Sequence, residues 1–87
     1  MDNIEKDTNQ RATAILLLWQ MINGQLTAQE VIDKWPKCPS DVLLNRIYCL
    51  LYHWRDDEDI RKKDHKYATW QKKQFEDFIA QLENRNE

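Results

Sequence analysis

The stretch from Asp41 to Trp54, D-V-L-L-N-R-I-Y-C-L-L-Y-H-W, constrains this chain more than any other because it is apolar on nearly every side. Leu43, Leu44, Ile47, Leu50, Leu51 and Trp54 recur at steps of three and four, the spacing that stacks side chains along one face of an α-helix. Val42, Tyr48, Cys49 and Tyr52 fill much of the remaining circumference, and only Asn45, Arg46 and His53 are plainly polar. Such a helix needs cover on at least two sides. The sequence therefore predicts a central helix wrapped by its neighbours, with Cys49 packed inside it as a small hydrophobe.

The neighbours are helical too. A single glycine and two prolines leave few of the turns that sheets require, while Leu, Gln, Lys, Glu and Ala are abundant helix formers. The class is all-α. At 87 residues the chain has room for one domain, with a core of about a dozen large side chains. In chain order, Thr8 or Asn9 caps a first helix whose inward residues are Ala12, Ile15, Leu16, Trp19 and Ile22, with Leu17, Leu18 and Met21 widening the stripe. Asn23-Gly24 stops it. Thr27-Ala28-Gln29-Glu30 is a capping box, flanked by Leu26 and Val31 as a hydrophobic staple, and it opens a short helix with Val31, Ile32 and Trp35 turned inward. Pro36 ends that helix, and Ser40 or Asp41 caps the central one. After Trp54 the composition changes to R-D-D-E-D-I-R-K-K-D-H-K, an exposed corner. Tyr67, Trp70, Gln74, Phe75, Phe78, Ile79 and Leu82 then mark a long final helix. The expected architecture is a compact antiparallel four-helix bundle with residues 1–7 and 84–87 frayed.

Thirteen basic against fifteen acidic residues leave a net charge of −2, which disfavours nucleic acid and other phosphate-rich partners. Cys38 and Cys49 form no C-x-x-C pair and suit a reduced, cytoplasmic setting. The N-terminal M-D-N-I-E-K-D lacks the order of a signal peptide, and the longest apolar run, Ala14 to Trp19, is too short for a membrane span.

Catalytic patterns are absent from the sequence. The one serine, Ser40, falls at a helix cap, no glycine-rich loop offers a phosphate cradle, and the chain is expected to be non-enzymatic. His53 and Asp57, four apart, with Asp64 and His65 nearby, are candidate metal ligands, but they match neither H-E-x-x-H nor the Glu-x-x-His pairs of helical sites. The D-D-E-D run lacks the glycine and the distal glutamate of a calcium loop. No metal or cofactor is expected. Asp56, Asp57, Glu58 and Asp59 are the candidate site: singly each suits a helix N-terminus, but together they form a patch of one sign that would steer a basic protein partner.

Three stretches carry a resemblance: Gly24-Gln25-Leu26-Thr27-Ala28-Gln29-Glu30-Val31, then Leu43-Leu44-Asn45-Arg46-Ile47-Tyr48 running into Trp54 and Asp56 to Asp59, then Phe75 to Leu82. In this order they resemble the small immunity proteins of the colicin D type, four-helix proteins that neutralise a toxin nuclease made by the same bacterium. The resemblance implies inhibition by occlusion, with Asp56, Asp57, Glu58 and Asp59 filling a basic cleft where the toxin would hold RNA. Two other readings compete. One is a small helix-turn-helix regulator built on the second and third helices, presenting Asn45, Arg46 and His53. The other is a homodimer joined through exposed Leu17, Leu18, Tyr48 and Tyr52.

Overall fold

A computed structural model describes residues 2–37 and 39–83, with side chains from residue 9 onward except at residue 38. The described residues form five helices and no strand: α1 (Asp2–Ile22), α2 (Ala28–Lys34), α3 (Val42–Asp56), α4 (Glu58–Lys63) and α5 (His65–Glu83). The all-α expectation holds. The count exceeds four because the charged corner is itself helical, with Asp57 ending α3 and preceding α4, and Asp64 ending α4. Carboxylates at its first turn and Arg61, Lys62 and Lys63 at its last suit the helix dipole, so six residues suffice.

Local signals decide the boundaries. Gly24 has φ +81, and Gln25 N–H reaches the Gln20 carbonyl at 2.7 Å while Gly24 N–H reaches that of Met21 at 3.1 Å, the left-handed stop expected of Asn-Gly. Glu30 N–H donates to Thr27 Oγ1 at 3.1 Å and Thr27 N–H to Glu30 Oε1 at 2.8 Å, completing the capping box. Of the two candidates for the α3 cap, Asp41 fills the role: its Oδ1 accepts from Leu43 N–H and Leu44 N–H at 3.1 and 3.2 Å. The start of α1 differs from expectation. It begins at Asp2 rather than at a cap on Thr8 or Asn9, since nothing in residues 2–8 interrupts a helix already propagating. The calls on Met1, Cys38 and residues 84–87 lie outside the described residues.

One core joins α1, α2, α3 and α5. Ala14, Leu17, Leu18 and Met21 meet Val31, Ile32 and Trp35, then Leu44, Ile47 and Leu51, then Phe75, Phe78, Ile79 and Leu82, all buried. The Trp35 indole N–H donates to the Leu44 carbonyl at 3.1 Å, locking α2 onto α3. Arg11 joins α1 to the start of α3, its Nε 2.8 Å from Asp41 Oδ2 and its Nη2 3.1 Å from Oδ1.

Several faces differ from expectation. On α1 the buried set is Ala14, Leu17, Leu18 and Met21, with the partly buried Ile15 and Ile22 packed against it, whereas Ala12 is exposed, Leu16 57 % and Trp19 39 % so. Leu17 and Leu18 are thus core residues and cannot form a dimer surface. The helix is apolar on two sides, so periodicity left the choice open, and packing on α2 and α5 settled it. α3 is left open along its outer face: Leu44, Ile47 and Leu51 are buried and Leu43, Tyr48, Leu50, Tyr52 and Trp54 partly so, but Val42 is 72 % exposed, and Cys49, expected inside, is exposed. Its apolar circumference exceeds what its neighbours reach. On α5, Trp70 is exposed, and Gln71 enters the interior at 2 % exposure because both ends of its amide find partners.

Candidate functional site

The acidic residues meet where α3, α4 and α5 converge, and the geometry divides them. Asp57 turns inward. Its Oδ2 accepts from the Tyr67 hydroxyl and, at 3.2 Å, from Gln71 Nε2. Gln71 Oε1 in turn accepts from Arg61 Nη1 at 2.8 Å, and the same Nη1 donates to the Trp54 carbonyl. The Arg61 guanidinium lies over the Trp54 ring, 4.1 Å from its centroid. Five side chains thus form one half-buried chain of contacts that fixes the corner.

The titrations follow from these contacts. The hydrogen bond to Asp57 raises the Tyr67 hydroxyl above its ordinary value, burial adds to this, and the nearby Arg61 charge opposes it. Burial lowers the Arg61 guanidinium from its usual range, against the pull of Glu58 and Asp57.

The other three carboxylates face solvent. Asp56 pairs with its neighbour Arg55 at 3.1 Å, and Glu58 pairs with Lys62 at 3.6 Å one turn on. All four of those side chains are at least 40 % exposed, a setting in which ion pairs are weak and interchangeable. Asp59 is exposed as well. Beside this edge lies a cleft of about 530 Å³, walled by the 24–30 segment on one side and by Trp54, Arg55, Glu58 and Arg61 on the other. Arg55 crosses to the far wall, donating to Gln29 Oε1 at 2.8 Å. Sequence spacing had no means of revealing Tyr67, Gln71 and Arg61 as partners of Asp57, because the contacts depend on how α5 folds back.

The candidate metal ligands are dispersed. His53 lies on the outer face of α3, Asp57 is bound inward, and Asp64 caps α5 by accepting from Lys66 N–H and Tyr67 N–H at 3.0 and 3.1 Å. Among the described residues no group of three or more His, Cys, Asp or Glu side chains could hold a metal ion. Of the residues a helix-turn-helix reader would present, Asn45 donates to the Pro39 carbonyl at 3.2 Å, while Arg46 and His53 are exposed. No described helix is long and apolar enough to cross a membrane. Comparison with protein families, with curated proteins and with solved structures returned no match to this chain.

Proposed function

We propose that this chain is a non-catalytic protein-binding module, acting in the cytoplasm, whose ligand is a basic protein surface. The observation that carries this reading is the corner itself. Asp57 is spent on holding the α3–α4 junction, and the junction then presents Asp56, Glu58 and Asp59 outward on a fixed edge. Preorganised charge of one sign speeds encounter with an oppositely charged partner and orients it. The exposed intramolecular pairs to Arg55 and Lys62 are weak enough to be exchanged for contacts to a partner.

The colicin D-type resemblance makes the partner a toxin nuclease, and the mechanism occlusion of its basic cleft. In this reading α1, α2, α3 and α5 act as an antiparallel bundle that carries α4 as its presenting edge. The test is titration calorimetry against the nuclease domain of a toxin encoded beside this protein. Changing Asp56, Glu58 and Asp59 together to lysine should abolish binding while leaving the melting temperature within a few degrees. Unchanged affinity would remove the corner from the interface.

A further inference from the structure

The outer face of α3 carries a stripe that meets the acidic corner only at its last member, Asp56. Val42, Arg46, Cys49, His53 and Asp56 follow one another at steps of four, three, four and three, and all five are exposed. That is the spacing of the seam between two packed helices. Its composition is wrong for a seam held by burial, since Val42 is the one aliphatic member. It is suited to metal. Cys49 and His53 stand one turn apart, a spacing that puts Cβ atoms about 5–6 Å from each other on the same side of a helix. A thiolate and an imidazole at that spacing are half of a tetrahedral zinc site.

The order of residues along the stripe is self-complementary. Two α3 helices packed antiparallel about a two-fold axis level with Leu51 bring Cys49 of each copy beside His53 of the other. The same register sets Arg46 beside Asp56 of the second copy, at both ends of the contact. Among the described residues no carboxylate lies within ion-pair distance of Arg46, and the ion pair of Asp56 is to the exposed neighbouring Arg55. One axis thus satisfies two ligand pairs and two charge pairs. From this register and charge order we propose that Cys49 and His53 bind Zn²⁺ between two copies of this chain, each supplying half of a Cys₂His₂ site. On binding, each thiol gives its proton to solvent, so two protons leave per metal ion. The two thiolates neutralise the Zn²⁺ charge, and both imidazoles bind in the neutral form.

The experiment is sedimentation of the full chain under reducing conditions, with chelator and then with one zinc ion per two chains. Zinc should double the mass and chelator should reverse it. Cobalt in place of zinc should give the absorption of a tetrahedral thiolate complex. Cys49→Ser and His53→Gln should each raise the dissociation constant of the zinc dimer by about tenfold or more. Arg46→Glu should weaken the dimer, and adding Asp56→Arg should restore it. These positions are exposed, so unchanged helical circular dichroism will show that the variants fold. A chain that stays monomeric at saturating zinc would overturn the proposal. So would a zinc dimer indifferent to Cys49→Ser, or a dimer that reductant rather than chelator dissolves. Asp56 belongs to both surfaces, whereas Cys49 and His53 lie outside the acidic corner, so the zinc, Cys49→Ser and His53→Gln outcomes are independent of the binding test above.

Discussion

Asp41 shows how much one side chain can carry in a chain this small. It caps α3 through two backbone amides and receives both arms of the Arg11 guanidinium, with 8 % of its own side chain exposed. Its local sequence suggested the cap but not the partner thirty residues away. Asp41→Ala should cost about 2–3 kcal/mol, roughly 1 from the cap and the rest from the half-buried pair, and Arg11→Ala should cost less because the cap survives. Urea unfolding of both variants and the double variant gives the coupling. Burial raises the Asp41 carboxyl, but the hydrogen bonds from Arg11, Leu44 and Leu43 outweigh it and hold the group below its ordinary value. A depressed carboxyl contributes stability above its unfolded value of about 3.9, and that stability is lost as pH falls through the lower folded value. The wild type should therefore lose stability below about pH 4 more steeply than Asp41→Asn. Tyr67 has the opposite sign: its raised hydroxyl contributes below its unfolded value of about 10 and is lost as pH rises through the folded one. Removing the acceptor with Asp57→Ala should bring Tyr67 ionisation to lower pH in an alkaline absorbance titration.

At the scale of elements, what the sequence could reveal was type and punctuation, and what it could not reveal was rotation. The Asn-Gly stop, the Thr27 capping box and the Pro36 terminator act through backbone groups a few residues away, so each was legible and each is present. The rotation of α1 was not, because Ala12, Ile15, Leu16, Trp19 and Ile22 form as regular a stripe as Ala14, Leu17, Leu18 and Met21. Only contact with α2 and α5 distinguishes them. In α5, Trp70 looked like a core residue by hydrophobicity, while Gln71 took the interior position because Asp57 and Arg61 satisfy its amide. The acidic cluster was legible as a cluster, but the inward turn of Asp57 was not, since its partners lie ten and fourteen residues further on. Truncation should expose the difference. Leu18→Ala and Phe75→Ala should cost about 2–5 kcal/mol, whereas Leu16→Ala should stay within about 0.5 kcal/mol. Thermal melts of the three variants would check it, and equal losses at Leu16 and Leu18 would contradict the rotation of α1.

In the whole molecule, apolar burial and polar locking are unevenly shared. The core draws from α1, α2, α3 and α5, and α4 contributes no buried residue to it. What holds α4 is the chain from Arg61 through Gln71 and Asp57 to Tyr67, together with the stacking of Arg61 on Trp54. Opening free energy scales with the contacts an element must break, so α4 should be the first folded element to open. Amide hydrogen exchange should accordingly show the least protection in residues 61–63 and the most in 44–51 and 75–82. Arg61→Ala removes the stacking, the bond to Gln71 and the bond to the Trp54 carbonyl at once. It should speed exchange in α4 while leaving protection in 75–82 nearly unchanged, because the apolar contacts there are made without it. This uneven stability bears on recognition. In the proposed reading the contacts of Arg61, Gln71 and Asp57 hold the acidic edge in place for a partner, and loosening them would add the entropic cost of ordering a short helix to binding. If Arg61→Ala instead lowered protection everywhere, α4 would be part of the cooperative core and not an edge held by its own polar contacts.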